Sequence, residues 1–161
     1  MDWIETRPEL DAGRIGVLGL SMGAIRASLL VAVEPRIKTA VLALVGGNLP
    51  YIFAHSSEQL FVDIRERNMK AKSLSLDQFQ ETLRNRITCD PIRYAAYVDP
   101  RKILLVLASL DTVVPHVAGV ELRTKMGNPE TISLLSGHYT SIIFAPFIRD
   151  EAHAFLARQL Q

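Results

Sequence analysis

The sequence has little of what marks secreted, membrane or nucleic-acid-binding proteins. Its single cysteine, Cys89, leaves no partner for an internal disulfide and no cysteine cluster for a metal. The formal net charge of +1 provides no electrostatic attraction to nucleic acid or to an anionic membrane. No apolar run is long and pure enough to cross a bilayer, and acidic residues stand where a signal peptide has its basic region. We therefore expect a cytoplasmic protein with no metal, no nucleic-acid partner and no membrane partner.

The chain is rich in aliphatic segments. With 161 residues, 48% of them hydrophobic and 22% charged, it is expected to form one packed domain over residues 1–161. Four segments read as strands, and those near 38–45 and 102–108 are apolar without alternation, which is typical of parallel strands buried on both faces. The predicted strands are 14–20, 38–45, 102–108 and 131–135. Because helices separate them, the fold class is α/β with a mainly parallel sheet of about four strands.

The predicted helices flank these strands. Residues 22–34 form a helix with so few polar positions that we expect it to be mostly covered. Residues 115–126 form another, and 139–160 a closing helix bent near Pro146. Residues 1–10 resemble the last turns of a helix, with Trp3, Ile4 and Leu10 as apolar contacts.

The segment from 51 to 98 differs in character from the rest of the chain. It is more polar and rich in Arg, Lys, Glu and Gln, with helices predicted near 56–70 and 76–87. Ser75 followed by Gln78 is a capping-box pattern for the second helix. We interpret this segment as an inserted helical lid, preceded by a loop at 46–50.

The most informative stretch is the pentapeptide from Gly19 to Gly23, with Ser21 at its centre. An aliphatic strand precedes it and an apolar helix follows, which is the context that a nucleophile elbow requires. Glycines at both ends would remove side chains that collide where strand and helix meet, and the helix start would offer the N–H of Met22 to an oxyanion. The alternative is an ordinary turn in which Ser21 only caps the helix.

An elbow serine needs a base and an acid that orients the base. Such groups gather in loops at the carboxyl ends of parallel strands, and two positions meet that condition. Asp111 follows the predicted strand 102–108, and His138 follows 131–135. Each has a simpler interpretation, because Asp111 could cap the helix near Pro115 and His138 could be a loop histidine bonded to backbone. Other titratable groups fit less well: His116, His55, His153, Asp99 and Cys89.

With the order Ser21, Asp111, His138, the chain resembles the carboxyl-terminal part of an α/β-hydrolase of the esterase and dienelactone-hydrolase-like branch. The resemblance implies that Ser21 is the nucleophile, His138 the general base and Asp111 the residue that fixes the histidine tautomer. It implies a truncated α/β-hydrolase fold and hydrolysis of small carboxylic esters without a cofactor. The expected substrate pocket is lined by Leu20, Met22, the loop from Gly46 to Tyr51, Val113, Val114 and lid residues.

The chain departs from this family at its amino-terminal side, because it begins just before the strand that carries Ser21. The family's earlier strands, and the loop that supplies a second oxyanion N–H, have no counterpart in it. We consider Gly46, Gly47, Asn48 or a second subunit as replacements for that donor.

The same departure would leave strand 14–20 at a sheet edge, with unpaired backbone groups beside an apolar helix. Exposed edges of this kind pair readily with another chain, so we expect a homo-oligomer, most simply a twofold dimer. The alternative is that the amino-terminal helix or the lid covers this edge within the same chain. A second function class also stays open: a weak or inactive hydrolase remnant that acts as an oligomerising module.

Overall fold

The computed structural model describes residues 2–161; Met1 lies outside the described residues. The strands are β1 (Ile15–Leu20), β2 (Ile37–Ala43), β3 (Ile103–Ala108) and β4 (Glu130–Leu134). The helices are α1 (Asp2–Glu5), α2 (Met22–Val33), α3 (Leu49–His55), α4 (Gln59–Lys72), α5 (Leu76–Arg84), α6 (Pro91–Tyr94), α7 (His116–Lys125) and α8 (Ala145–Gln159). Short 3₁₀ turns cover Ala95–Tyr97, Pro100–Lys102 and Tyr139–Phe144. Each predicted strand is present, with its ends within one or two residues of the expected ones.

The sheet is parallel throughout and has the order β1-β2-β3-β4. This confirms the predicted α/β class with a parallel sheet of four strands. Parallel neighbours bring their carboxyl ends to one edge of the sheet, so the segments after β1, β3 and β4 meet there.

Side chains of β2 and β3 alternate between two packed layers. On one face, which we call the covered face, Leu42 and Leu105 pack with α2, α3 and α7 in the main core. On the opposite face, which we call the α8 face, Val41 and Leu104 pack against Ala152 and Phe155 of α8. Both faces of β2 and β3 are therefore buried, as continuous apolar runs predict.

The outer strand β1 is covered on one face only. Leu18 and Leu20 lie opposite Val41 and Ala43 in the register, and therefore on the α8 face, yet each is 56% exposed. Helix α2 is also less covered than expected, since Leu30 and Val33 are exposed while its buried residues face the core. The open edge at β1 agrees with the sequence-based expectation.

The insertion between β2 and β3 (residues 44–102) is helical, and it contains two helices that were not predicted, α3 and the short α6. The presumed loop at 46–50 already contains the start of α3, because Asn48 takes a left-handed conformation (φ 57°) and its side chain accepts from the N–H of Tyr51. The capping box is confirmed: Ser75 Oγ accepts from the N–H of Gln78, and the Gln78 side chain accepts from the N–H of Ser75. Whether the insertion acts as a lid stays a prediction.

The chain ends differ more from expectation. Helix α1 is a single turn with no buried residue. The predicted apolar contacts are wrong for Trp3 and Leu10, which are exposed, whereas Ile4 is partly buried. The closing helix is two pieces, a 3₁₀ turn over Tyr139–Phe144 and then α8, with Pro146 in the first turn of α8. Proline has no N–H to donate and is tolerated at that position, which explains the break.

No helix within residues 2–161 has the length and apolar character to span a bilayer.

Candidate active site

The turn between β1 and α2 holds Ser21 in a conformation that is rare for a residue with a side chain, with φ 53° and ψ −120°. The Ser21 N–H donates to the carbonyl of Ala43 at 2.8 Å, which ties the turn to β2. A Cβ at Gly19 would lie 2.6 Å from the Cα of Ala24, so strand and helix approach closely only because Gly19 has no side chain. The same expectation for Gly23 is wrong, since a Cβ there would meet nothing within 4 Å.

Asp111 lies in the loop after β3 and is almost fully buried. Its Oδ1 accepts from the N–H groups of Val113 and Val114, each at 2.9 Å. Its Oδ2 lies 2.7 Å from Nδ1 of His138. The carboxylate therefore caps the loop before α7, as the simpler interpretation proposed, and also binds the histidine.

His138 lies in the loop after β4, between the other two groups. Its Nε2 is 2.8 Å from the Ser21 Oγ, and its Nδ1 contacts Asp111. The side chains of His138 and Asp111 are only 8% and 3% exposed. A neutral imidazole that donates from Nδ1 to Asp111 leaves Nε2 free to accept from the Ser21 hydroxyl. The fold thus brings together three groups that are 90 and 27 residues apart along the chain.

The backbone N–H groups near Ser21 differ in their availability. Met22 is the first residue of α2, and its N–H has no acceptor among residues 2–161. The N–H of Gly47 donates to the Ala118 carbonyl at 3.2 Å, and that of Asn48 to Asp90 Oδ1 at 2.9 Å. Both N–H groups are therefore engaged elsewhere and are not free to donate to an oxyanion in this structure.

The predicted pocket lining is largely displaced from the cavity that reaches Ser21 and His138. Gly46 is enclosed by the side chains of Val114, Ala118 and Ile52, and Gly47 packs on Ile92. Val114 is buried in the main core. Of the predicted lining residues, the cavity includes Leu20 but not Met22, Gly46, Gly47, Asn48, Val113 or Val114.

The cavity itself is an open-sided apolar trough of about 900 Å³ on the α8 face. Ser21 and His138 lie in its wall together with residues of β1, β2 and α8. Its apolar lining includes Leu18, Leu20, Val41, Ala43, Ile148 and Leu156. Helix α8 packs on this face over β2 and β3. The trough exists because no helix covers the same face of β1, where Leu18 and Leu20 stay exposed.

The remaining titratable candidates lie outside the Ser21–His138–Asp111 chain of hydrogen bonds. His116 Nδ1 lies 3.1 Å from the Ala108 carbonyl, and His55 packs on the ring of Tyr51. Asp99 precedes β3, and hydrogen bonds from Arg101 lower its carboxyl pKa to about 2.

Within residues 2–161, no group of three or more His, Cys, Asp and Glu side chains is arranged to hold a metal ion.

Sequence reasoning missed a further polar contact beside the histidine. The Tyr139 hydroxyl donates to Glu58 Oε2 of the insertion. This hydrogen bond raises the pKa of the Tyr139 hydroxyl. The two residues are 81 positions apart, and no local pattern could pair them.

Comparison with known proteins identifies the fold. No family model and no curated protein matches the chain. Among solved structures, an esterase from Pyrococcus furiosus matches 99% of the chain at 20% identity with a TM-score of 0.73, and the match spans 59% of that esterase. An acylaminoacyl peptidase from Pyrococcus horikoshii matches 99% at 19% identity and TM-score 0.72, over 26% of its own length. An acetyl xylan esterase from Thermoanaerobacterium matches 99% at 18% identity and TM-score 0.74, over 50% of its length.

The chain therefore spans less than two thirds of each of these structures, and identities near 20% establish a shared architecture only. The four parallel strands, the turn at Ser21 and the order of the elements belong to part of the α/β-hydrolase fold, the fold that this chain shares with those esterases and peptidases.

Proposed function

We propose that the chain is a serine hydrolase that cleaves small carboxylic esters through an acyl-enzyme intermediate. The observation that carries the proposal is the continuous hydrogen-bonded path from the Ser21 hydroxyl through His138 to Asp111, with contacts of 2.8 and 2.7 Å. Nucleophile, base and orienting acid within such distances, with the nucleophile on a strained turn, are the geometry of acyl transfer. The likeness to esterase folds is consistent with this reaction class.

In the proposed reaction, His138 Nε2 accepts the Ser21 proton as Oγ bonds to the ester carbonyl carbon. The carbonyl electrons move to oxygen, and the Met22 N–H donates to that oxyanion. The oxyanion electrons then re-form the carbonyl, the bond between the carbonyl carbon and the alcohol oxygen breaks, and the imidazolium returns the proton to the leaving alkoxide. A water repeats the sequence on the acyl-enzyme and releases the carboxylic acid with Ser21 restored. Asp111 stabilises the imidazolium and holds its tautomer without taking the proton.

The rate is expected to be modest. Met22 N–H is the one donor assigned to the oxyanion among residues 2–161, because the N–H groups of Gly47 and Asn48 are engaged elsewhere and Gly46 lies among core side chains outside the cavity. Losing one oxyanion donor typically costs ~2.7–4 kcal/mol of transition-state stabilisation, or about 100- to 1000-fold in rate.

The test compares hydrolysis of p-nitrophenyl acetate and butyrate by the wild type and Ser21→Ala. We expect turnover in the wild type and its loss in the variant, together with covalent labelling of Ser21 by a fluorophosphonate probe. The exposed Ser73, which ends α4, provides the matched control Ser73→Ala, with unchanged turnover expected. Equal rates for wild type and Ser21→Ala would disprove the assignment.

The second candidate is a weak or inactive remnant that serves as an oligomerising module. The exposed edge at β1, with Leu18 and Leu20 each 56% exposed beside the trough, favours this function. It predicts a dimer with no Ser21-dependent turnover, whereas the hydrolase proposal requires turnover whatever the oligomeric state.

A further inference from the structure

One short segment of the insertion contacts both loops that hold the partners of Ser21. Ser56, Ser57 and Glu58 connect α3 to α4, at the side of the insertion nearest the carboxyl ends of the strands. None of the three lies next to Asp111 or His138 in sequence. Their contacts with those loops are made by side chains as well as backbone.

The contacts with the Asp111 loop come from the two serines. Ser56 Oγ donates to the Val113 carbonyl at 2.6 Å, and Ser57 N–H donates to the Thr112 carbonyl at 2.8 Å. The hydroxyls of Ser57 and Thr112 are also 2.8 Å apart. The residues that directly follow Asp111 are thereby held to the insertion.

The contact with the His138 loop comes from Glu58. Its carboxylate accepts the hydrogen bond from the hydroxyl of Tyr139, the residue directly after the histidine. The rings of His138 and Tyr139 meet edge to face, with centroids 5.4 Å apart at 84°. A shift of Tyr139 would therefore displace the His138 imidazole, because the two residues are joined through the backbone and through the ring contact.

The segment 56–58 is itself held in place by a residue of α4. Arg65 of α4 donates from Nη1 to the carbonyls of Phe53, Ala54 and Ser56, at 3.0 to 3.3 Å. These are carbonyls at the end of α3, where a cation is favourable, and the bonds limit the movement of the chain into Ser57. On its inner side the His138 loop is held separately by Ser136 and Ser141, whose hydroxyls are 2.8 Å apart.

We propose that Glu58 and Tyr139 are positioning residues: their hydrogen bond holds the His138 imidazole between Ser21 and Asp111. The proposal rests on the proposed hydrolase function for its effect on turnover. Its structural content, the restraint of the imidazole by the insertion, can be measured without turnover.

The kinetic test uses Tyr139→Phe, Glu58→Ala and Glu58→Gln. Tyr139→Phe keeps the ring beside His138 and removes only the hydroxyl, while Glu58→Gln keeps an oxygen acceptor. Because the pair is partly exposed, we expect a fall in kcat of about 3- to 10-fold for Tyr139→Phe and Glu58→Ala, with KM within about twofold. The double variant should fall no further than either single one, and Glu58→Gln should keep most of the activity. Tyr97→Phe, at another exposed tyrosine, is the matched control with no change expected.

The second readout is the Nδ1–H proton of His138, observed by NMR in the 17.9 kDa protein. We expect it to exchange with water several-fold faster in Tyr139→Phe and Glu58→Ala than in the wild type, Glu58→Gln or Tyr97→Phe. Unchanged exchange together with unchanged kcat in an active enzyme would overturn the proposal. Faster exchange in a protein without turnover would support the positioning role and refute the hydrolase function. Unchanged exchange in such a protein would refute both.

Discussion

The two faces of the sheet differ in how completely helices bury their side chains. On the covered face, α2, α3 and α7 bury Leu42 and Leu105 completely. On the α8 face a single helix buries Val41 and Leu104, but leaves Leu18 and Leu20 of β1 half exposed above the trough. Chain composition does not explain this, because β1 is as apolar as its neighbours.

The packed and open parts of this protein therefore differ in how well helices cover the strands, and not in how hydrophobic the strands are. The loop that holds Asp111 follows β3, which is buried along its whole length, whereas Ser21 and His138 follow the outer strands β1 and β4, which are only partly buried. A packed layer fixes its side chains, while an open apolar surface is typical of a place where something else binds.

The largest expected effect separates the two faces directly. Leu105→Ala, on the covered face, should lower the free energy of unfolding by about 2.7–5 kcal/mol, because it leaves a cavity in the main core. Leu18→Ala, on the α8 face, should lower it by about 1 kcal/mol or less, since half of that side chain already meets water. Urea unfolding at low protein concentration measures both. Equal losses would show that the α8 face of β1 is covered in solution.

Two glycines of β1 provide a second contrast. Gly19→Ala should destabilise the protein by about 1–3 kcal/mol or more, because its Cβ would meet the backbone of Ala24 at 2.6 Å. For Gly16→Ala the closest atom is the end of the flexible Leu156 side chain at 2.9 Å, which can move into the trough. Thermal unfolding should therefore show a clear fall in Tm for the first variant and a small one for the second. A larger fall for Gly16→Ala would mean that the trough is filled.

The predicted homodimer tests whether a second copy covers β1. Leu20→Lys adds a charge to the exposed edge while leaving the covered face intact. Light scattering after size exclusion at micromolar concentration should give a dimer for the wild type and a monomer for the variant. Val120→Lys, an exposed apolar position on α7, is the matched control and should stay dimeric. A monomeric wild type would count against the dimer.

The smallest effect concerns the contact between the insertion and the His138 loop. The hydrogen bond to Glu58 raises the pKa of Tyr139 above its ordinary value of 10.0. The neutral hydroxyl is thus favoured in the folded state, and its stabilising contribution is present below pH 10 and lost as pH rises through the raised pKa. The absorbance titration of wild type minus Tyr139→Phe should show this late ionisation, and Glu58→Ala, which removes the acceptor, should return it towards 10.0. A Tyr139 that titrates at the ordinary value in the wild type would contradict the contact.

Several features could be predicted from local sequence because local physics decides them. The strands followed from continuous apolar runs, and the capping box from Ser75 and Gln78. The elbow at Ser21 followed from glycine spacing, and the approach of Asp111 and His138 from the rule that parallel strands share a carboxyl edge. Helix α3 was missed because its start depends on the left-handed Asn48, and the pocket lining because it depends on which face has no helix.

The parallel sheet, its four strands and the turn at Ser21 could be predicted from the amino-acid sequence, because hydrophobic patterns and glycine sterics act over a few residues. Three features emerge only in the folded protein: the engagement of the Gly47 and Asn48 N–H groups, the contact of Glu58 with Tyr139, and the position of the cavity between β1 and α8. These depend on how helices far apart in the chain share the surface of one sheet, and no short stretch of residues carries that information.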